Sequence, residues 1–166
     1  MTKLIELTEI VLFDWGNTLM VDFPEAQGKM CDWEVVEEVA GAREVLAALS
    51  KQHKLYVATN AADSTEQDII QAFERVGLSQ YLSGYFCKAS LGVSKYDSDF
   101  YPAIITQLGV QAKDVTMIGD TLEKDIYPAL ASGLHAVWLN TSDDALDDAV
   151  DGAIVQIQSL IQLVET

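Results

Sequence analysis

"EIVLFDWGNTL", residues 9–19, is an apolar run that stops on an aspartate and breaks into a turn of Gly16, Asn17 and Thr18. The run reads as a strand that delivers Asp14 to its C-terminal end. Aspartate, glycine and asparagine are ordinary turn residues, so the phrase alone assigns no chemistry. Its meaning depends on what recurs along the chain. "KLYVATN" (54–60), "GYFCKAS" (84–90), "DVTMIGD" (114–120) and "HAVWLN" (135–140) are further β-rich runs. Between them lie helical patterns. Val35, Val39, Ala42, Leu46 and Leu49 fall at helical spacing, and so do Ile69, Ile70, Phe73 and Val76, capped by Asp63 or Ser64 and closed by Gly77. Phe100, Ile104 and Leu108 share one face before Gly109. "EKDIYPALASG" (123–133) is a short helix that tolerates Pro128 only in its first turn, and "AIVQIQSLIQLVE" (153–165) ends the chain as a strand and a helix.

Strands alternating with helices predict an α/β fold, a doubly wound parallel sheet covered on both faces with right-handed crossovers. Ligands bind such sheets outside the carboxyl ends of the strands, at the topological switch point. Asp14, then Thr59 and Asn60, then Asp120 each fall just past a strand's C-terminal end. Three sequence-distant groups therefore converge on one edge, whereas incidental turn residues would scatter over both.

Composition narrows the classes. The 166 residues are expected to form one domain (1–166) with a substantial core, at 49% hydrophobic and 22% charged content. The 26 acidic residues against 10 Lys and Arg give a formal charge of -16, which argues against nucleic acid and anionic membrane partners. No apolar run approaches the ~20 residues of a membrane span. Cys31 and Cys87 lie far apart without metal-like spacing, so neither a disulfide framework nor a zinc site is expected, and a reducing cytoplasm fits. His53 and His135 sit at strand entrances, away from the edge just defined. The acidic tract "DDALDDAVD" (143–151) reads as a solvated charge run.

In order, "FDWGNTL", "VATNA", "LGVSKYDSDFY" and "MIGDTLEKD" resemble the four motifs of the haloacid dehalogenase superfamily, a group dominated by phosphatases. The resemblance runs over roughly residues 10–140, including "VAGAREVLAALS" and "IYPALASGLHAVWLN". It implies a Rossmann-like core and a phosphatase-like hydrolase that uses Mg²⁺ and acts on a small-molecule or protein phosphate. Carried over residue by residue, Asp14 would be the nucleophile and the carbonyl of Gly16 a metal ligand. Thr59 would hydrogen-bond the transferring phosphoryl group with Asn60 beside it. Lys95 would neutralise nucleophile and phosphoryl charge, Asp120 would bind the metal, and Asp125 would support that metal shell or Lys95. The chemistry is coherent, because aspartates crowded at one edge repel until a hard cation with oxygen ligands and a lysine relieve them.

Two departures from the family pattern stand out. Family phosphatases carry a second aspartate two residues after the nucleophile, which protonates the leaving group and later activates water; here that position is Gly16. Such acid–base help is worth about 10²–10⁴-fold, or roughly 3–5 kcal/mol of barrier, so its loss slows poor leaving groups most. Superfamily branches without this acid exist, among them dehalogenases, P-type ATPases and phosphonate hydrolases, the last with a phrase close to "DWGNT". Tyr96 stands where proline usually follows the lysine. Only about 20 residues, a cap-like insertion over 20–39, precede the next helix, so the site is expected to be open, closed by that short loop or by a second copy of the chain. Trp15, Phe23 and Trp33 are candidates to line its entrance, with at least two expected simply to pack, and Lys29 reads as a solvated lysine. Two other functions remain open at this point: a carbon-centred hydrolase of the dehalogenase type, and a noncatalytic phosphate- or metal-binding regulator.

Overall fold

The computed structural model describes residues 7–141 and 154–165; the acidic tract at 143–151 lies outside the described residues. Six strands form one parallel sheet: β1 (Ile10–Phe13), β2 (Lys54–Ala58), β3 (Gly84–Phe86), β4 (Val115–Gly119), β5 (His135–Leu139) and β6 (Val155–Ile157), in the order β3-β2-β1-β4-β5-β6. Between the strands lie α1 (Ala42–Leu49), α2 (Glu66–Arg75), α3 (Lys88–Leu91), α4 (Phe100–Leu108) and α5 (Tyr127–Ala131).

The doubly wound reading of the sequence is therefore the architecture observed. Side chains alternate between faces with the period of two that a strand imposes. Val11, Phe13, Leu55 and Val57 pack with α1 and α2 on one face, while Ile10, Leu12, Ala58 and Met117 pack with α4 and α5 on the other. From β1 the chain winds out to β3, returns to β4 beside β1, and winds out the other way. Reversing direction with a constant hand of crossover moves the helices to the opposite face. The reversal between β1 and β4 opens a crevice at the strands' carboxyl ends, where Asp14 and Asp120 emerge.

Several local expectations change. Helix α1 starts only at Ala42, after Gly41 at φ +86°, and Val35 is exposed. The stretch before it is extended because its backbone pairs with the turn after β1: Val21 N–H donates to Glu37 O (2.9 Å) and Val39 N–H to Leu19 O (2.8 Å). Helix α2 is capped by Thr65, not Asp63 or Ser64; Thr65 Oγ1 accepts from Asp68 N while Asp68 Oδ2 accepts from Thr65 N, a reciprocal box. The last helix of the sequence reading is a 3₁₀ turn, Leu160–Leu163. Pro128 lies in the first turn of α5 as expected, and a π turn, Leu122–Ile126, precedes it. Gly109 closes α4 at φ +68°. No helix among the described residues is long and apolar enough to cross a membrane.

Candidate active site

Strand β1 ends one residue before Asp14, whose N–H still bonds Ile118 O of β4 (2.9 Å), so the aspartate is held by the sheet itself. The turn beyond it folds back on one carbonyl: Trp15 O accepts from the N–H groups of Thr18, Leu19 and Met20. Closing that turn puts Asn17 at φ 62°, a left-handed conformation that asparagine tolerates better than most residues. Thr18 is fully buried, and its hydroxyl lies 3.4 Å from Asp14 Oδ2 and 3.3 Å from Asp120 Oδ1.

Lys95 is the centre of the site. Its side chain is completely buried, and Nζ donates to Asp14 Oδ1 (2.6 Å) and Asp125 Oδ1 (2.7 Å). Its backbone N–H donates to Asn60 Oδ1 (2.9 Å), so Asn60 anchors the lysine segment as well as lining the cavity. Tyr96, in the usual proline position, is 71% exposed, while Lys95 keeps these three hydrogen bonds. Thr59 is buried at the end of β2, held through its N–H to Phe86 O (2.9 Å), and its Oγ1 accepts from Ala61 N (3.2 Å).

Asp125 comes from the π turn, which aims its carboxyl back over β4; Oδ2 accepts from Thr121 N (3.1 Å). Gly119 makes this approach feasible, because a Cβ there would overlap the Asp125 carboxyl. The need for glycine at 119 becomes visible only once Asp125 folds over it.

Charge explains the arrangement. Burial pushes the Asp14 carboxyl up, but the Lys95 ammonium and a hydrogen bond from Asp120 reverse this and hold it below the usual carboxylate range. Burial lowers the Lys95 ammonium, and Asp14 and Asp125 overrule that and raise it. Asp120 has no cation of its own: burial, its contact with Asp14 and the charges of Asp14 and Asp125 push it up to about 7. Asp14, Asp120 and Asp125 each offer an oxygen, all within 4.8 Å of one another. Three carboxyls against one lysine leave a negative excess, which suits a hard divalent cation with oxygen ligands.

That excess has a measurable cost. Asp120 is raised in the folded state, so between about pH 4 and 7 the folded protein holds a proton that the unfolded chain has shed, and stability falls as pH rises through that window. Asp120→Asn removes the repelling charge. The metal-free variant is expected to melt roughly 2–4 °C above the parent at pH 7.5, equivalent to about 1 kcal/mol. Added Mg²⁺ should raise the parent's Tm and leave the variant's nearly unchanged; an equal response of both would remove Asp120 from the metal site.

Asp14 lines a cavity of about 450 Å³ together with Gly16, Thr59 and Asn60. Asp120, Asp125 and Lys95 are not among its lining residues but contact Asp14 or one another. Trp15 forms part of its wall but is only 4% exposed and packs on Phe73 at 6.2 Å, with its indole N–H toward Met20 Sδ (3.3 Å). Phe23 and Trp33 pack on each other at 6.3 Å, and Trp33 reaches the cavity. Lys29 is not a free solvated lysine: it pairs with Asp68 at 2.8 Å and tethers residues 20–39 to α2. Arg75 of α2 continues the tether through the carbonyls of Cys31, Trp33 and Glu34. His53 binds Thr8 O (2.6 Å) at the far edge of the sheet, as its placement before β2 implied. Both cysteines are free thiols.

Two lining residues escaped the sequence reading. Lys124 is the sole cation among the cavity's lining residues, and Asp22 contributes a carboxylate from the segment after the first turn. The motif phrase "LEKD" contained Lys124 in plain view, one residue before Asp125. Asp22 carries no local signal, because only folding brings it opposite Gly16.

With this geometry in view, the chain matches the haloacid dehalogenase-like hydrolase family over residues 16–133 and belongs to that family. It is 30% identical over 108 residues to the pyrimidine 5′-nucleotidase YjjG of Escherichia coli (strain K12), covering 64% of this chain and 47% of that one. It is 34% identical to the N-acylneuraminate-9-phosphatase of Mus musculus (59% and 39% covered) and 30% identical to the ribulose-1,5-bisphosphate 5-phosphatase of Halopiger xanaduensis (72% and 48%). The chain thus spans less than half the length of these curated relatives. Among solved structures, an uncharacterized protein of Listeria monocytogenes serotype 4b superposes with a TM-score of 0.79 at 22% identity, covering 93% of each chain. The HAD-hydrolase YfnB of Bacillus subtilis, bound to magnesium, gives 0.74 at 15% identity, covering 95% of this chain and 97% of that one. These two likenesses establish the fold.

Proposed function

We propose that the protein is a Mg²⁺-dependent phosphatase that passes the phosphoryl group through Asp14. The observation that carries this reading is the buried Lys95 ammonium bridging Asp14 and Asp125, beside an Asp120 that lacks a cation. Lys95 keeps Asp14 ionised, hence nucleophilic, and holds its carboxylate through Oδ1 at 2.6 Å. Thr59 and Asn60, which line the cavity just past β2, would donate to phosphoryl oxygens. Asp14, Asp120, Asp125 and the Gly16 carbonyl would hold Mg²⁺, which supplies charge neutralisation of the transferring group. The names of the curated relatives, all phosphate-ester hydrolases, support a small-molecule phosphate as substrate. Residues 20–39, strapped to α2 through Lys29 and Arg75, serve as a short fixed cap over the cavity.

The test is a panel of aryl, acyl and metabolite phosphates assayed with and without Mg²⁺. Phosphate release that requires Mg²⁺ is the expected result. Halide release from 2-haloacids without metal would point instead to carbon-centred hydrolysis. Phosphate binding without turnover across the panel would make the protein a noncatalytic binder.

A further inference from the structure

Removing the acid at position 16 leaves a gap in the chemistry, and the fold puts another carboxyl beside that gap. A Cβ built on Gly16 would lie 3.4 Å from Asp22 Cβ and 3.5 Å from Asp22 Oδ2. Asp22 therefore carries its carboxylate into the space that a side chain at 16 would enter, and it lines the same cavity as Asp14, Thr59 and Asn60. Its placement is built. Asn17, the one non-glycine residue with positive φ among those described, turns its side chain so that Oδ1 accepts from Asp22 N–H (3.0 Å). One residue earlier, Val21 N–H is fixed to Glu37 O (2.9 Å), and Met20 bridges both Gly16 and Glu38. The backbone at Asp22 and just before it is thus tied to the turn that carries Asp14 and to the extended stretch before α1. Unlike Asp14, Asp120 and Asp125, Asp22 has no ion pair or side-chain hydrogen bond among the described residues, which leaves its carboxyl available to a ligand.

We propose that Asp22 is the general acid–base of this enzyme, supplied from six residues downstream in place of the carboxyl missing at Gly16, and that Asn17 is its positioning residue. The inference rests on the phosphotransfer reading of Asp14. In the first step, a carboxylate oxygen of Asp14 forms a bond to phosphorus while the bond to the leaving oxygen breaks with its electron pair. The Asp22 carboxylic acid gives its proton to that oxygen, releasing an alcohol and leaving Asp22 ionised. In the second step, the Asp22 carboxylate takes a proton from water as the water oxygen attacks phosphorus. The bond from phosphorus to Asp14 breaks with its pair, so that phosphate leaves and both carboxyls return to their starting states.

The experiment compares Asp22→Asn with the parent on phosphate monoesters of graded leaving-group quality, from alkyl phosphates to p-nitrophenyl phosphate, at saturating Mg²⁺. If Asp22 handles the proton, kcat/KM falls about 10²–10³-fold for alkyl phosphates and less than about tenfold for p-nitrophenyl phosphate. Moving the carboxyl back, in the double variant Asp22→Ala with Gly16→Asp, should restore alkyl phosphate turnover at least about tenfold over Asp22→Ala alone. Position 16 accepts the side chain, since its φ is not positive and the nearest atoms belong to Asp22 itself. Asn17→Ala should reproduce the same leaving-group dependence more weakly. Equal losses on good and poor leaving groups, or none, would overturn the role of Asp22 while leaving Asp14-dependent turnover intact. A parent with no Asp14-dependent turnover of any probe would overturn both readings together.

Discussion

Asp14→Asn is expected to abolish Mg²⁺-dependent phosphate release, a loss of about 10⁴-fold or more, because under the proposed mechanism it removes the nucleophilic carboxylate. The amide keeps the shape of the carboxylate, and Lys95 retains its 2.7 Å contact with Asp125. The variant should therefore fold, and its Tm should stay within a few degrees of the parent. That pairing of lost activity with retained stability separates a chemical role from a structural one. A second readout is the intermediate itself: parent protein quenched in acid during turnover should carry the mass of one phosphoryl group, and the variant none. Residual activity within tenfold of the parent would end the nucleophile assignment.

Lys95→Met is expected to destabilise the fold strongly. Nζ is fully buried and touches two carboxylates, so the substitution leaves Asp14 and Asp125 without their counter-charge in the sheet's switch-point crevice. Breaking a buried pair from one side costs about 3–5 kcal/mol, far above the 0–1 kcal/mol typical of exposed pairs. The sign of the pH dependence follows. Burial already holds Asp125 above the usual carboxylate range, and without the ammonium it rises further while Asp14 loses the charge that keeps it below that range. The destabilisation should therefore be smallest near pH 5 and grow toward pH 8. Denaturant melts at the two pH values measure this, and added Mg²⁺ should recover part of the loss at the higher one. A cost below about 1 kcal/mol at pH 8 would mean that the lysine is not the cluster's counter-charge.

The parts of the site at strand ends were legible before any coordinates, because the rule that reveals them is local. Asp14, Thr59 and Asp120 each follow an apolar strand, and in a parallel sheet those ends share an edge. Helices whose apolar spacing matched their buried face were also recovered, as with Ile69 and Phe73 of α2 or Phe100 and Ile104 of α4. The pattern failed where another segment claimed the backbone. Val35 and Val39 keep helical spacing, yet the chain there is extended, since Glu37 O and Val39 N–H are used in pairing with the turn after β1. Thr65 won the cap of α2 because Asp68 could answer it from the third helical position, a reciprocal bond that Asp63 and Ser64 lack.

By itself, the sequence determined the alternation of strands and helices, the family, and the loss of the acid at position 16. Periodicity and motif order are properties of short stretches, so they survive without a fold. Tertiary structure alone decided that Lys95 is buried between two aspartates 81 and 30 residues away, and that Asp120 is left unneutralised. It also decided that Asp22 stands where a side chain at Gly16 would point. Those facts depend on loop closure and on the electrostatics of groups brought together by the sheet, and neither is written in the spacing of residues along the chain.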